Sequence, residues 1–209
     1  MLWAGALSAQ NNNNQGTVPP APVPKTGQVT CYDADGAVIN CAGTGQDGEL
    51  QKGVKWPNPR FTVRANGTTK DNLTGLIWLT NANCEGKKLW QDALSFANGL
   101  ASGACGLTDK SKAGDWRLPN VRELYSLVDL EFSNPARSNI KGDGKAGDPD
   151  DPFTGFQASF YWSSTTSAGP SNAWFVDFTF GYVLFDGKTA PATMSLPCVA
   201  ARRIDDLVI

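Results

Sequence analysis

Histidine is absent from all 209 residues. That excludes imidazole-activated serine or cysteine nucleophiles, His-Glu-x-x-His zinc sites and imidazole-bound iron. A basic excess is also missing, because 18 Lys and Arg stand against 20 Asp and Glu, a net charge of −2. Nucleic-acid binders carry a basic footprint, so no nucleic-acid partner is expected. A purely electrostatic grip on a sulfated polysaccharide is disfavoured for the same reason. No apolar run approaches the length needed to span a bilayer, so no transmembrane segment is expected. There is no Cys-x-x-Cys pair, and without histidine a zinc site has too few ligands at suitable spacing.

Aromatic residues are plentiful: seven Trp, ten Phe and four Tyr. They supply large buried area from few positions. A hydrophobic fraction of 41% with 18% charged residues fits a globular protein, and 22 Gly imply many turns. The length suits one core with a tail.

The start, Met1 to Ala9, reads as the tail of a secretory signal, with small residues Ala6, Ser8 and Ala9 suited to cleavage. The first basic residue is Lys25, so a trimmed signal is expected. A merely apolar N-terminus is the simpler alternative. Residues 10–26 hold four consecutive Asn and then Pro19, Pro20, Pro22 and Pro24, a composition that favours an extended tether over a core. Residues 27–60 form a leading segment with a hairpin and a Gly-rich crossing, and residues 61–205 form the main domain.

Five cysteines fit an exported protein. Cys31 and Cys41 flank the turn signal Asp33-Ala34-Asp35-Gly36, which would face the two thiols across a hairpin. Cys84 and Cys105 bracket a helical pattern over 89–100, with Trp90, Ala93, Leu94 and Ala97 on its inner side, and a disulfide between them would close that loop. Cys198 is left over.

From Phe61 to Arg203 the pattern is α+β. Leu76 to Leu79 reads as a short buried strand. A second helix is expected over 121–130, opened by Asn120 as N-cap with Glu123 as its capping-box acid. Tyr161–Ser163, Trp174–Phe178 and Tyr182–Phe185 read as strands, the last two joined around Thr179-Phe180-Gly181. Alternation would put Trp174, Val176 and Phe178 on one face and Phe175 and Asp177 on the other, with one face on the core.

The run Gly114-Asp115-Trp116-Arg117-Leu118-Pro119-Asn120-Val121-Arg122-Glu123-Leu124 and the run Tyr161-Trp162-Ser163-Ser164-Thr165-Thr166 together resemble the Lcl C-terminal domain family, named for a bacterial collagen-like adhesin. Further marks of that resemblance are Thr69 to Trp78, Ala173 to Phe178, Gly181-Tyr182-Val183, and Cys198-Val199 before Arg202. The resemblance implies an α+β, C-type lectin-like fold with two helices and a small, mainly antiparallel twisted sheet, stapled by disulfides. Val199 to Arg202 would then lie beside the first strand. In many lectin-like folds a helix cysteine pairs with one on the last strand. The matching helix position here is Ala97, which implies an unpaired Cys198.

The same resemblance implies a secreted or cell-surface module of a bacterium, with the periplasm a further location. Its partner would be an extracellular polysaccharide or a surface protein, since the collagen-like relative binds glycosaminoglycan-type polymers. Beyond Lys87-Lys88 and Arg202-Arg203 the chain has no basic cluster for such a ligand. Aromatics with amide or carboxylate neighbours suit a sugar better, and Trp174, Asn172, Asp177 and Tyr182 are the candidates. A second reading is a structural subunit or decoration of an extracellular fibre or surface assembly, with self-association. A third comes from formylglycine-generating enzymes, which resemble this chain in Arg117-Leu118-Pro119 and hold copper with paired cysteines. One late cysteine, Cys198, fits that chemistry poorly, and the chain is read as a binding module and not an enzyme. No cofactor is required. Asp143, Asp148, Asp150 and Asp151 crowd a Gly-rich stretch that could offer oxygens to calcium. The spacing fails the EF-hand pattern, and a solvated acidic insertion is the simpler reading.

Overall fold

The computed structural model describes residues 23–147, 149–189, 196–197 and 201–203. The expected signal remnant, most of the tether, Asp148 and Cys198 lie outside the described residues.

The leading segment holds β1 (Cys31–Tyr32) and β2 (Val38–Ile39), paired antiparallel, and a one-turn helix α1 (Asp47–Leu50). Asp33 and Gly36 close the turn through Asp33 N–H to Ala37 O and Gly36 N–H to Asp33 O. The register sets Cys31 opposite Ile39, so Cys41 reaches its partner from beyond the strand, and the Cys31–Cys41 disulfide forms there.

The main domain continues with β3 (Phe61–Val63), β4 (Thr68–Asp71), β5 (Leu76–Leu79), β6 (Lys87–Lys88), α2 (Trp90–Gly99) and α3 (Val121–Tyr125). It ends with β7 (Phe160–Thr166), β8 (Asn172–Asp177), β9 (Tyr182–Gly187), β10 (Leu196–Pro197) and β11 (Ala201–Arg203). The larger sheets run β11-β5-β4-β3 and β7-β8-β9, and β6 pairs with β10, all antiparallel. The C-terminal strand therefore lies beside β5, as expected.

The expected lectin-like architecture of two helices and one small sheet is corrected by these elements. Three helices are present among the described residues, and only α2 exceeds seven residues. The strands divide among separate open antiparallel sheets.

The packing explains the division. Alternate residues of β5 enter different apolar clusters: Leu76 and Trp78 join one, Ile77 and Leu79 the other. The same split occurs on β7, with Tyr161 in the first and Trp162 in the second, and on β8, with Val176 in the first and Phe175 in the second. Leu124 and Leu127 cover the first cluster, while Ala93 and Ala97 of α2 cover the second. A strand covered on both faces loses its in-and-out alternation. That is why Phe175, Val176, Asp177 and Phe178 are all buried, against the expectation of one core face.

Helix α3 stops at Tyr125, five residues short of the periodic pattern. Its start is as expected: the Asn120 side chain accepts from the N–H groups of Arg122 and Glu123, and Glu123 returns a bond to the Asn120 N–H. The ladder already fails at Leu127 and Val128, whose N–H groups turn to Leu124 O and Tyr125 O, while Ser126 Oγ donates to Glu123 O. Reaching residue 130 would further need the Ser126 carbonyl to accept from Leu130 N–H. Arg60 Nη2 takes that carbonyl at 2.7 Å, and Leu130 N–H goes to Thr26 O instead.

These bonds fasten the leading segment to the domain. Val23 and Lys25, at the end of the expected tether, exchange backbone bonds with Val54. Glu131 accepts from the Thr30 hydroxyl and from the Val29 and Thr30 N–H groups. Burial raises the Glu131 carboxyl, but these bonds outweigh it and leave the group below its ordinary value. Asp129 is packed against Gly27, where a Cβ would come within 2.1 Å of Oδ1. Burial pushes the Asp129 carboxyl up to about 6, against the Glu131 N–H bond and the Arg60 charge.

The Cys84–Cys105 bond spans 21 residues and closes the loop that carries α2. The double variant Cys84→Ala/Cys105→Ala should lose about 3 kcal/mol of stability in chemical denaturation; a loss below the error of the extrapolation would contradict this role. For Asp129, the unfolded carboxyl releases its proton near 3.8 and the folded one near 6. Folding stability from this group therefore falls as pH rises through that window. Asp129→Asn keeps the acceptor and removes the charge. It should exceed the parent chain by about 2–3 kcal/mol near neutral pH, with the difference vanishing near pH 4. A less stable variant at neutral pH would contradict the account.

Candidate functional site

The hairpin formed by β8 and β9 gathers most of the exposed aromatic surface. Its register pairs Asn172 with Gly187, Trp174 with Phe185, Val176 with Val183, and Asp177 with Tyr182. Alternation then puts Asn172 and Trp174 on one face, and Asp177 and Tyr182 on the other. The four expected ligand residues therefore do not form one cluster. Asp177 is buried, and its Oδ1 accepts from Thr179 N–H to shape the turn into β9. Trp174 is half-buried and meets Phe185 edge-on at 5.2 Å.

Tyr182 is the candidate left in solvent, at 56% exposure, with Phe180 beside it at 55% and their rings 5.7 Å apart. Phe180 sits in the turn, where Gly181 adopts φ +77° and its N–H bonds to Asp177 O. A Cβ at Gly181 would come within 2.9 Å of Val128, so the close approach as well as the dihedral calls for glycine. Phe180, Leu184 and Phe185 were not among the sequence candidates. All three are exposed, because β9 is the edge of its sheet among the described residues.

The run that opens α3 works as a structural joint. Trp116 and Leu118 enter the second cluster and Leu124 the first. Arg117 exchanges two backbone bonds with Ala201 of β11, and its guanidinium holds both Glu123 oxygens at 2.7 Å. The downstream run meets it directly: Ser164 N–H donates to Pro119 O, and Thr165 Oγ1 accepts from Val121 N–H. Asp115 accepts from Lys112 N–H as a turn residue.

In the acidic stretch, Asp151 holds Arg137, whose pKa burial lowers against the pull of that carboxylate. Arg137 stacks over Phe156 at 4.1 Å and Phe153 at 5.0 Å. Asp143 accepts from Asn139 Nδ2. Among the described residues, no three acidic or cysteine side chains converge as metal ligands.

A second buried cation, Arg60, forms a two-point pair with Asp71 at 2.9 and 3.0 Å, and lies 4.3 Å over the Trp56 ring. Trp56 and Ser126 help to line a cavity of about 270 Å³ where the leading segment meets α3. Its wall is mainly apolar, from Val23, Trp56, Tyr125, Val128 and Leu130, with Lys25 and Arg122 also present.

Among the described residues no helix is long and apolar enough to cross a membrane. No curated protein matches the chain. The family model for the Lcl C-terminal domain matches residues 67–199, from the turn before β4 to the segment before β11. The stretch covers the α3 joint, the run that bonds to it and the aromatic hairpin, and the chain belongs to the Lcl C-terminal domain family.

Proposed function

We propose that this chain is a secreted or cell-surface bacterial module that holds an extracellular polysaccharide or surface protein and does no chemistry on it. The observation that supports it is the exposed Phe180–Tyr182 pair on a buttressed turn. Large apolar groups left in water at adjacent positions mark contact surfaces. An aromatic face can stack on a sugar ring while the Tyr hydroxyl stays wet. The non-catalytic reading is supported by the lack of histidine and by the use of four of five cysteines in disulfides.

A structural subunit of a fibre or surface assembly is the second reading. The edge strand β9 supports it, since Tyr182, Val183, Leu184 and Phe185 are all exposed. Among the described residues nothing pairs with the outer side of β9, and such an edge beside apolar side chains is a template for another strand.

A glycan and glycosaminoglycan screen, run with and without calcium, tests the first reading. We expect a hit that Phe180→Ala/Tyr182→Ala weakens about tenfold or more, while Lys52→Ala at a distant exposed position leaves it unchanged. Binding unaffected by the aromatic double variant would place the contact elsewhere. Ordered polymers in negative stain without any ligand, lost on Leu184→Lys, would favour the second reading.

A further inference from the structure

The cavity between the leading segment and α3 has features that the proposed polymer contact does not use. Its floor is helical: Arg122, Tyr125 and Ser126 fall on one side of α3 by their spacing. Its roof is the chain from Val23 to Thr26, and Trp56 closes one end while donating its Nε1–H to Lys25 O. The volume of about 270 Å³ is that of a small organic molecule's site. A cleft with such walls favours apolar content.

Charge adds direction to that shape. Lys25 and Arg122 line the cavity, and among the described residues neither forms an ion pair. Lys25 Nζ reaches only the neutral Gln51 Oε1. Arg60 touches two lining residues, through the Trp56 ring and Ser126 O, and its buried Nη1 lacks a partner among the described residues. The acids beside the lining residues are engaged elsewhere and none is part of the wall: Glu123 holds Arg117, Glu131 bonds Thr30, Asp47 accepts from the Thr26 hydroxyl and Asp129 packs against Gly27. Two cations, Lys25 and Arg122, thus line an apolar space without a carboxylate in its lining, while Arg60 behind it is already paired with Asp71.

From this arrangement we infer that the cavity binds a small organic monocarboxylate with an alkyl or aryl body. The carboxylate lies toward Arg122 and Lys25, and the body lies against Trp56, Tyr125, Val128 and Leu130. A guanidinium suits a carboxylate because its fork offers parallel N–H donors. The neutral amide of the same acid fits the walls equally well and lacks the charge, so the pair separates shape from electrostatics.

The test uses the full chain, octanoate and octanamide, followed by NMR at the Trp56 indole N–H. Octanoate should shift that resonance saturably, and octanamide should bind about tenfold more weakly or worse. Arg122→Gln should weaken octanoate about tenfold with no change in unfolding midpoint, since Arg122 is exposed. A cavity-filling Val23→Trp should abolish the shift, with 3-phenylpropionate as a second acid to confirm it. Equal affinity for acid and amide, an unaffected Arg122→Gln, or no saturable shift by either acid at millimolar concentration would overturn the assignment. Because Phe180 and Tyr182 take no part in it, their double variant should bind octanoate normally, which keeps this result separate from that of the polymer screen.

Discussion

Burial of both faces of β5 and β8 is the constraint on which the rest of the structure depends. Each strand sends alternate side chains into two different apolar clusters. Neither strand can slip by one residue, because a slip would exchange the contents of the two clusters. Such a slip would carry Trp78 out of the first cluster and Phe175 out of the second. The register of the β8–β9 hairpin follows from that fixed strand, and so does the position of its exposed aromatic turn.

The α3 joint carries this constraint between clusters. Trp116 and Leu118 anchor in one and Leu124 in the other, and the intervening Pro119 and Asn120 turn the chain sharply enough to start a helix. Glu123 both closes the cap on Asn120 and holds Arg117. Arg117 in turn is tied by its backbone to β11, so the C-terminal strand, the joint and the helix start are fixed as a unit. Arg60 and Asp71 extend the same frame into the leading segment, since Arg60 bonds the Ser126 carbonyl just past α3.

Local chemistry made part of this legible in the sequence. The Asn120–Glu123 capping box, the bounds of β5, the turn at Asp33–Gly36 and both disulfides follow from residues close together in the chain. Long-range partners hid the rest. Periodicity through Val128 suggested a longer α3, but Ser126 Oγ takes the Glu123 carbonyl, and Arg60, far along the chain, takes that of Ser126. Asp177 read as a surface ligand because its burial depends on β8 lying between β7 and β9. The lectin-like expectation followed family resemblance, whereas the strands part into separate open sheets. In the candidate contact surface, Tyr182 was legible as an aromatic near a turn. Phe180, Leu184 and Phe185 were not, since only the sheet order reveals β9 as an edge.

A scaffold fixed from both sides suits a module that presents a surface. The buried strand β8 anchors the hairpin, and its turn and β9 are what it leaves exposed. Native-state hydrogen exchange tests the underlying claim most directly. Amides of Ile77, Trp78, Phe175 and Val176 should exchange only through global unfolding, with one common free energy that matches chemical denaturation. Exchange of β8 through a local opening well below that of β5 would contradict the account, because the two clusters would then be separable.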